Sequence, residues 1–340
     1  MNESLQAPGE YHSRGSNLEQ IIDQLPHLSQ LVQKVAQNPH ANIEAKAELD
    51  KVEKNAPKVD AITMAMLGVP VADIKMDSMR RAPTKEGKPN ISEQYQVADR
   101  DDGEAAFLKL APGINGRSKV SDLAMLSFAQ DEVFASRIAQ SVGYPMPPTK
   151  LVRIENEAWL MSDYHAGTDH SPSLGRSYGG CIANPNAFES RIIFDALIGS
   201  QWAGPREGIV DQATSQYFAI DAHMVLNTDD RQVTSAEMQE RLSVLNDSQP
   251  FSFTANMSEI IQSTRTALES GAFRNVCHDV IGPDETEQRL VEGIEARARA
   301  LVDLYDTQSN ENHHSGKNVF GSNLHPEPRR HSLVQPQPPG

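Results

Sequence analysis

Cysteine is nearly absent from this chain. Only Cys181 and Cys277 occur, far apart and outside any CxxC or Cys/His ligand spacing. That excludes a disulfide framework and a thiolate zinc site, and free thiols in a reducing compartment are the simplest account. Long apolar runs are missing too. Nothing approaches the roughly 18 consecutive apolar residues that a membrane-crossing helix needs, so no membrane span is expected. Basic charge is scarce, with 31 Lys and Arg against 46 Asp and Glu and a net charge of −15. Duplex nucleic acid would require a local basic stripe, and only the pairs Arg80-Arg81 and Arg329-Arg330 stand out. A nucleic-acid partner is therefore not expected. A charged-then-apolar signal peptide is also lacking in the first 17 residues, MNESLQAPGEYHSRGSN. Their Ser/Asn/Gly-rich makeup is equally compatible with an exported leader, so a cytoplasmic location is expected, with delivery into a host cell left open.

What is present is length and a polar excess at the two ends. The 340 residues suffice for one large domain or two, and 38% are hydrophobic. Residues 1–17 and 307–340 carry most of the polar bias and are expected to be disordered. The His313-His314 pair in the second of these reads as incidental. No internal repeat is visible.

Between those ends the periodicity changes twice. Residues 18–77 read as a helical N-terminal extension. Leu18, Ile21, Ile22, Leu25, Leu28, Leu31, Val32 and Val35 keep three-four spacing, and Ile43 to Met66 form a second pattern that Pro57 should interrupt. Such a hairpin packs on a main domain or offers its apolar stripe to a partner. Residues 78–92 carry Pro, Gly, Lys and Asn in close order and read as a linker. Strand periodicity follows in Tyr95–Val97 and Ala105–Leu110, around the hairpin loop Ala98–Glu104. Lys109 stands in the second strand, where a lysine is ordinarily a snorkelling edge residue unless a carboxylate meets it. The helix Ser127–Gln140, ended by Gly143, places Glu132 on a segment that should pack behind that strand. Strand-like Met146–Ile154 and Ala158–Met161 come next, then a polar connector, Ser162–Gly167. A buried helix, Phe188–Ile198, leads into the Gly/Pro-broken loop Gly199–Gly208. The run Tyr217–Ile220 then delivers Asp221 at a strand end, as a metal ligand facing phosphates or as a plain turn residue. Ser235–Leu245, Ser258–Leu268 and Glu285–Tyr305 read as amphipathic helices.

Five pieces in this order carry a resemblance: FLKL (Phe107–Leu110), DEVFASRIAQSVGYPMPPTKLV (Asp131–Val152), WLMSDYHAG (Trp159–Gly167), FDALIG (Phe194–Gly199) and YFAIDAHMVL (Tyr217–Leu226). The chain resembles the HipA-like kinases over roughly residues 95–230. The resemblance implies an α+β, two-lobed protein-kinase-like fold, with a β-rich N-lobe at 78–161 and a helical C-lobe at 162–306. It implies ATP and Mg or Mn as cofactors. Lys109 would hold the α- and β-phosphates, oriented by Glu132. Met161, Ser162, Asp163 and Tyr164 would read the adenine edge. Asp221 would bind the metal, and the implied activity is transfer of phosphate or nucleotide to a protein substrate.

The chain departs from the family where the catalytic acid should stand. After a helix like FDALIG the family has Asn-x-Asp-Arg-x-x-x-Asn, whereas this chain has Ser200-Gln-Trp-Ala-Gly-Pro-Arg-Glu207. Trp202 replaces the Asp, and Glu207, standing for the Asn, remains a candidate metal ligand. Asp195 and Asp211 are near in sequence but out of register. No Gly-rich phosphate loop is recognisable, and the acidic Asp99–Gly103 stretch would repel phosphates. A pseudokinase that binds a partner protein and an unrelated α+β protein are therefore carried as alternatives. Oligomeric state is not legible.

Overall fold

A computed structural model describes residues 20–21, 25, 27–28, 31, 43–55, 61–82, 95–110, 122–155, 157–170, 182–200, 208–220, 230–246, 249–281 and 285–315. The protein mixes helix and sheet. Its larger sheet has five antiparallel strands: β1 (Arg80–Arg81), β2 (Tyr95–Asp99), β3 (Ala105–Leu110), β4 (Thr149–Ile154) and β5 (Glu157–Asp163). Their order is β1-β2-β3-β5-β4. Helices α1 (Ile43–Asn55) and α2 (Ala61–Met66) precede the sheet, and α3 (Asp122–Ser141) is inserted between β3 and β4.

Side chains of a strand alternate between faces, so each face of this sheet can be read from its register. Ala106 and Leu108 of β3 join Ala98, Val152, Ile154, Trp159 and Met161 in one buried layer. Ala72, Ile74 and Met79 cover that layer. Their segment belongs by sequence to the helical extension, yet it runs along the sheet, with bridges from Val71 to Arg153 and from Ile74 to Arg100. On the opposite face, Ala129 and Val133 of α3 pack with Leu160, Leu151 and Ala158. Ile21, Leu25 and Leu28 reach Leu151 and Ala158 as well, together with Leu49, Val52 and Leu67. The described helical residues of the N-terminal extension thus lie on the α3-side face of β4 and β5, while Ala72 and Ile74 cover the other face.

Residues 164–166 lead from β5 into a second, three-stranded antiparallel sheet of order β6-β7-β8, formed by Gly167–His170, Gly208–Asp211 and Tyr217–Ala219. Around it stand α4 (Pro185–Glu189), α5 (Arg191–Ile198), α6 (Ser235–Leu245), α7 (Ser258–Ser270), α8 (Ala272–Ile281) and α9 (Glu285–Ser315). Ile193 and Leu197 of α5 share the largest core with Leu242, Ile261, Phe273, Ile294 and Leu301. Helix α3 belongs to this core too, through Phe134, Ile138 and Val142. One stripe of α3 (129, 133, 136) therefore faces the large sheet while another (134, 138, 142) faces the helices. Cys277 is buried in the same core, and burial pushes its thiol up to about 12. Cys181 lies outside the described residues.

Several boundaries differ from the sequence reading. Strand β4 starts at Thr149 and not at Met146, because Pro147 and Pro148 have no N–H to give to a ladder. The Thr149 amide instead begins the strand by donating to Ser136 Oγ of α3 at 2.9 Å. Arg80–Arg81, read as linker, form an edge strand on β2, while 83–92 lie outside the described residues. A turn at Ser190 divides the predicted helix 188–198. Helix α9 continues past Asp306 to Ser315, beyond the boundary expected at Asp306. Arg265 holds Asp306 at 2.8 Å, and Gln308 donates to Gln239 of α6 at 2.9 Å.

Gly208 shows how tightly the second sheet is closed. A Cβ placed there would lie 2.0 Å from a ring carbon of Tyr217, which is fully buried. Gly208→Ala is expected to destabilise the fold by at least about 1–3 kcal/mol, the usual cost of overpacking. A lower urea midpoint at unchanged slope would show it, and an unchanged midpoint would contradict this packing.

Candidate active site

Lys109 is not an edge residue. Strand β3 lies between β2 and β5, and Lys109 is paired with Tyr95 on one side and Leu160 on the other. Its side chain points to the face that α3 covers. Glu132 sits three residues after Ala129 on the sheet-facing stripe of α3, so it too points inward. The two meet in an ion pair in which Lys109 Nζ donates to Glu132 Oε1. Lys109 is 7% exposed and Glu132 8%. Two opposite charges removed from water to this extent depend strongly on each other, because the loss of either takes a close counter-charge from the other.

The acidic hairpin turn does not stand over this pair. Residues 100–104 lie at the other end of β3, five or more residues from Lys109 or about 16 Å along the strand. The connection that ends across from Lys109 is the one between β1 and β2, residues 83–94, outside the described residues. The acidic stretch Asp99–Gly103, expected from the sequence to repel phosphates, thus lies at the opposite end of β3 from Lys109.

The residues expected to read an adenine edge divide three ways. Met161 is 1% exposed and belongs to the sheet core on the face away from Lys109. Ser162, paired with Phe107, shares the face of Lys109. Asp163 closes an ion pair with Arg100 of the β2–β3 turn. The Tyr164 amide donates to the Ala105 carbonyl at 3.0 Å. Sequence reading missed Arg100, whose signal was its position opposite an acidic strand end. It also missed His165, whose ring stacks on Phe218 with centroids 4.0 Å apart and lies 3.6 Å from Asp211. These contacts tie the connector to the second sheet.

Strand β8 ends at Ala219, and Ile220 follows it. Arg191 of α5 donates to Asp195 Oδ1 at 2.7 Å and, at 3.4 Å, to the Ile220 carbonyl. Burial works against the Arg191 charge, yet Asp195, then Tyr217 and Tyr144, hold its pKa above the ordinary arginine value. Asp195 is thereby engaged. Asp211 is engaged as well, accepting from the Thr214 amide and hydroxyl at 2.8 Å and the Ala213 amide at 3.0 Å. The Thr214 bonds foremost hold its carboxyl below the usual range. Asp221, Glu207 and Trp202 all lie outside the described residues. Among the described residues no group of three or more His, Cys, Asp or Glu is placed to hold a metal ion. No described helix is long and apolar enough to cross a membrane.

No family model matches this chain, and no curated protein matches it. Solved structures do show a likeness. A Helicobacter pylori proinflammatory kinase, CtkA, is 13% identical, with 71% of this chain and 99% of that chain covered and a TM-score of 0.42. A Golgi casein kinase is 11% identical over 76% of this chain and 78% of that one, with a TM-score of 0.38. HipA from Shewanella oneidensis MR-1, in a complex with HipB and operator DNA, gives 12% identity, 87% of either chain and a TM-score of 0.37. Likeness at this level transfers no residue role.

Proposed function

We propose that this chain is a two-lobed, HipA-like kinase-fold protein that binds ATP with Mg or Mn beside Lys109 and transfers phosphate or nucleotide to a protein. The observation that carries the reading is the buried Lys109–Glu132 pair. It joins a central strand to helix α3, inserted between β3 and β4, in a sheet of order β1-β2-β3-β5-β4. A lysine fixed in this way presents an ammonium of defined position to a polyphosphate, and electrostatic positioning is most of what phosphoryl transfer requires of a protein. Asp221 and Glu207 are the residues assigned to the metal, which would neutralise phosphate charge when bound. Arg191, on the Ile220 carbonyl, holds the chain one residue before Asp221.

A second reading is favoured by Trp202. Without an acid at that position nothing is assigned to accept the proton of a substrate hydroxyl. The chain would then be a pseudokinase that binds nucleotide and acts on a partner protein by association.

A thermal-shift measurement with ATP and Mg²⁺ or Mn²⁺, run beside Lys109→Ala and Asp221→Ala, tests the shared core of both readings. Ligand at 100 times its Kd adds about 2.7 kcal/mol to stability. A shift in wild type that both substitutions abolish is expected, and no shift with either metal overturns the proposal. Label from α- or γ-phosphate-labelled ATP appearing in protein separates nucleotidyl from phosphoryl transfer. Label from neither supports the pseudokinase.

A further inference from the structure

The N-terminal extension and α3 rest on the same two side chains. Ile21, Leu25 and Leu28 stand at the i, i+4, i+7 spacing of one helical face, and all three are buried. They pack with Leu49, Val52 and Leu67, and on the sheet with Leu151 of β4 and Ala158 of β5. Leu151 and Ala158 also belong to the contact that Ala129 and Val133 of α3 make with Leu160. His27 Nε2 lies 2.9 Å from Glu48 Oε1, so a polar contact joins the same segment to α1.

Register carries this arrangement to the ion pair. Leu151 is paired with Leu160 and Leu160 with Lys109, so the three stand in one row across β4, β5 and β3, on a single face. Ala129 precedes Glu132 by three residues and Val133 follows it by one, so the stretch of α3 that meets Leu160 is the stretch that carries the carboxylate. From Phe134 onward α3 has a separate anchor in the helical core. Close-packed interiors transmit strain, so apolar volume lost under the extension is felt at Leu151 and Ala158 and then in the first half of α3. We infer that the extension is a positioning element for the Lys109–Glu132 pair: seated on Leu151 and Ala158 it fixes the first half of α3, and its release loosens Glu132 and weakens the anion that Lys109 holds. The consequence for MgATP affinity rests on the nucleotide reading above, and the consequence for α3 does not.

Hydrogen exchange read by mass spectrometry and titration calorimetry with MgATP, both on the full chain, test it. The variants are Leu28→Ala, the milder Leu28→Val, and Leu242→Ala, a fully buried residue of the helical core that lowers stability without touching the row. In Leu28→Ala, exchange over residues 122–133 is expected to quicken about tenfold relative to α9, and MgATP to bind about tenfold more weakly. Leu28→Val is expected to move both in the same direction by less. In Leu242→Ala the exchange ratio of the two segments and the MgATP affinity are expected to stay within about twofold of wild type. Exchange over 122–133 that merely follows α9 in both Leu28 variants overturns the inference and leaves the nucleotide reading standing. Quickened exchange with unchanged affinity overturns it as well, since the pair is then fixed without the extension. An equal loss of affinity in Leu242→Ala also overturns it, because the loss is then one of general stability. Absence of MgATP binding by the wild type overturns the nucleotide reading, and exchange over 122–133 then decides the coupling alone.

Discussion

Lys109→Met is expected to destroy nucleotide binding and also to lower stability by about 3–5 kcal/mol, the cost of breaking a buried ion pair from one side. The two losses have different origins and can be separated. Lys109 and Glu132 are both buried, at 7% and 8% exposure, so the charge left behind by either single substitution sits away from water. Removing both charges removes that penalty. Lys109→Met combined with Glu132→Leu is therefore expected to recover most of the stability, because a buried pair and a well-packed apolar replacement are often nearly equivalent. It should recover none of the nucleotide-induced thermal shift. Urea unfolding of wild type, both singles and the double completes the cycle. If the double variant is no more stable than the singles, the pair is not coupled as the geometry requires. If it still shifts with ATP, Lys109 is not the phosphate ligand.

The second large effect is expected at Arg297, on α9. It is the largest fully buried side chain of the described residues. Its Nε donates to the Leu197 carbonyl at 2.8 Å and its Nη1 to Asp230 at 3.2 Å. Burial pushes its pKa down to about 10, which leaves it charged at neutral pH. Leu197 lies in the last turn of α5, and Asp230 precedes α6 and also meets Arg241 at 2.8 Å. One guanidinium thus links α9 to the end of α5 and to the segment leading into α6. Gly199 lets it do so: its φ of +76° is the left-handed cap of α5, and a Cβ there would sit 3.0 Å from the guanidinium carbon. Arg297→Met is expected to cost about 3–5 kcal/mol, through a partly buried carboxylate losing a partner and a carbonyl losing its donor. Arg241→Met removes a more exposed partner of the same Asp230 and should cost clearly less. Similar urea midpoints for the two variants would contradict the assignment of Arg297 as the central tie.

Part of this arrangement is visible before any folding is considered. The helix around Glu132 follows from Phe134, Ile138 and Val142 at helical spacing and from Gly143, which ends it with a φ of +64°. Strand β3 follows from Ala105–Leu110 after a turn of Asp, Gly and Glu. Helix α6 was legible to the residue, because Thr234 and Glu237 form a capping box at its start. Other features were not legible in the same way. Helix α9 outran its apolar stripe, since its last turns are held by polar contacts from Arg265 and Gln239 that come from distant sequence. Ser162 and Asp163 looked like connector residues because β5 is one of two strands whose pairing, and so whose length, depends on a partner that is not adjacent in sequence.

Local patterning therefore determined which segments of this protein are helix or strand, where Lys109 and Glu132 stand on them, and that no disulfide framework or membrane span should be expected. Periodicity and capping act over a few residues, so they can be read from a chain alone. Tertiary structure decided what those residues meet. It placed β3 inside a sheet and turned a lysine that could have snorkelled into a buried ion-pair partner. It moved the acidic turn to the far end of the strand from that lysine. It also closed Asp163 on Arg100 and Arg297 on Asp230, pairs separated by tens of residues. Burial and pairing of charge are properties of the packed molecule, because both depend on which distant segment excludes the water.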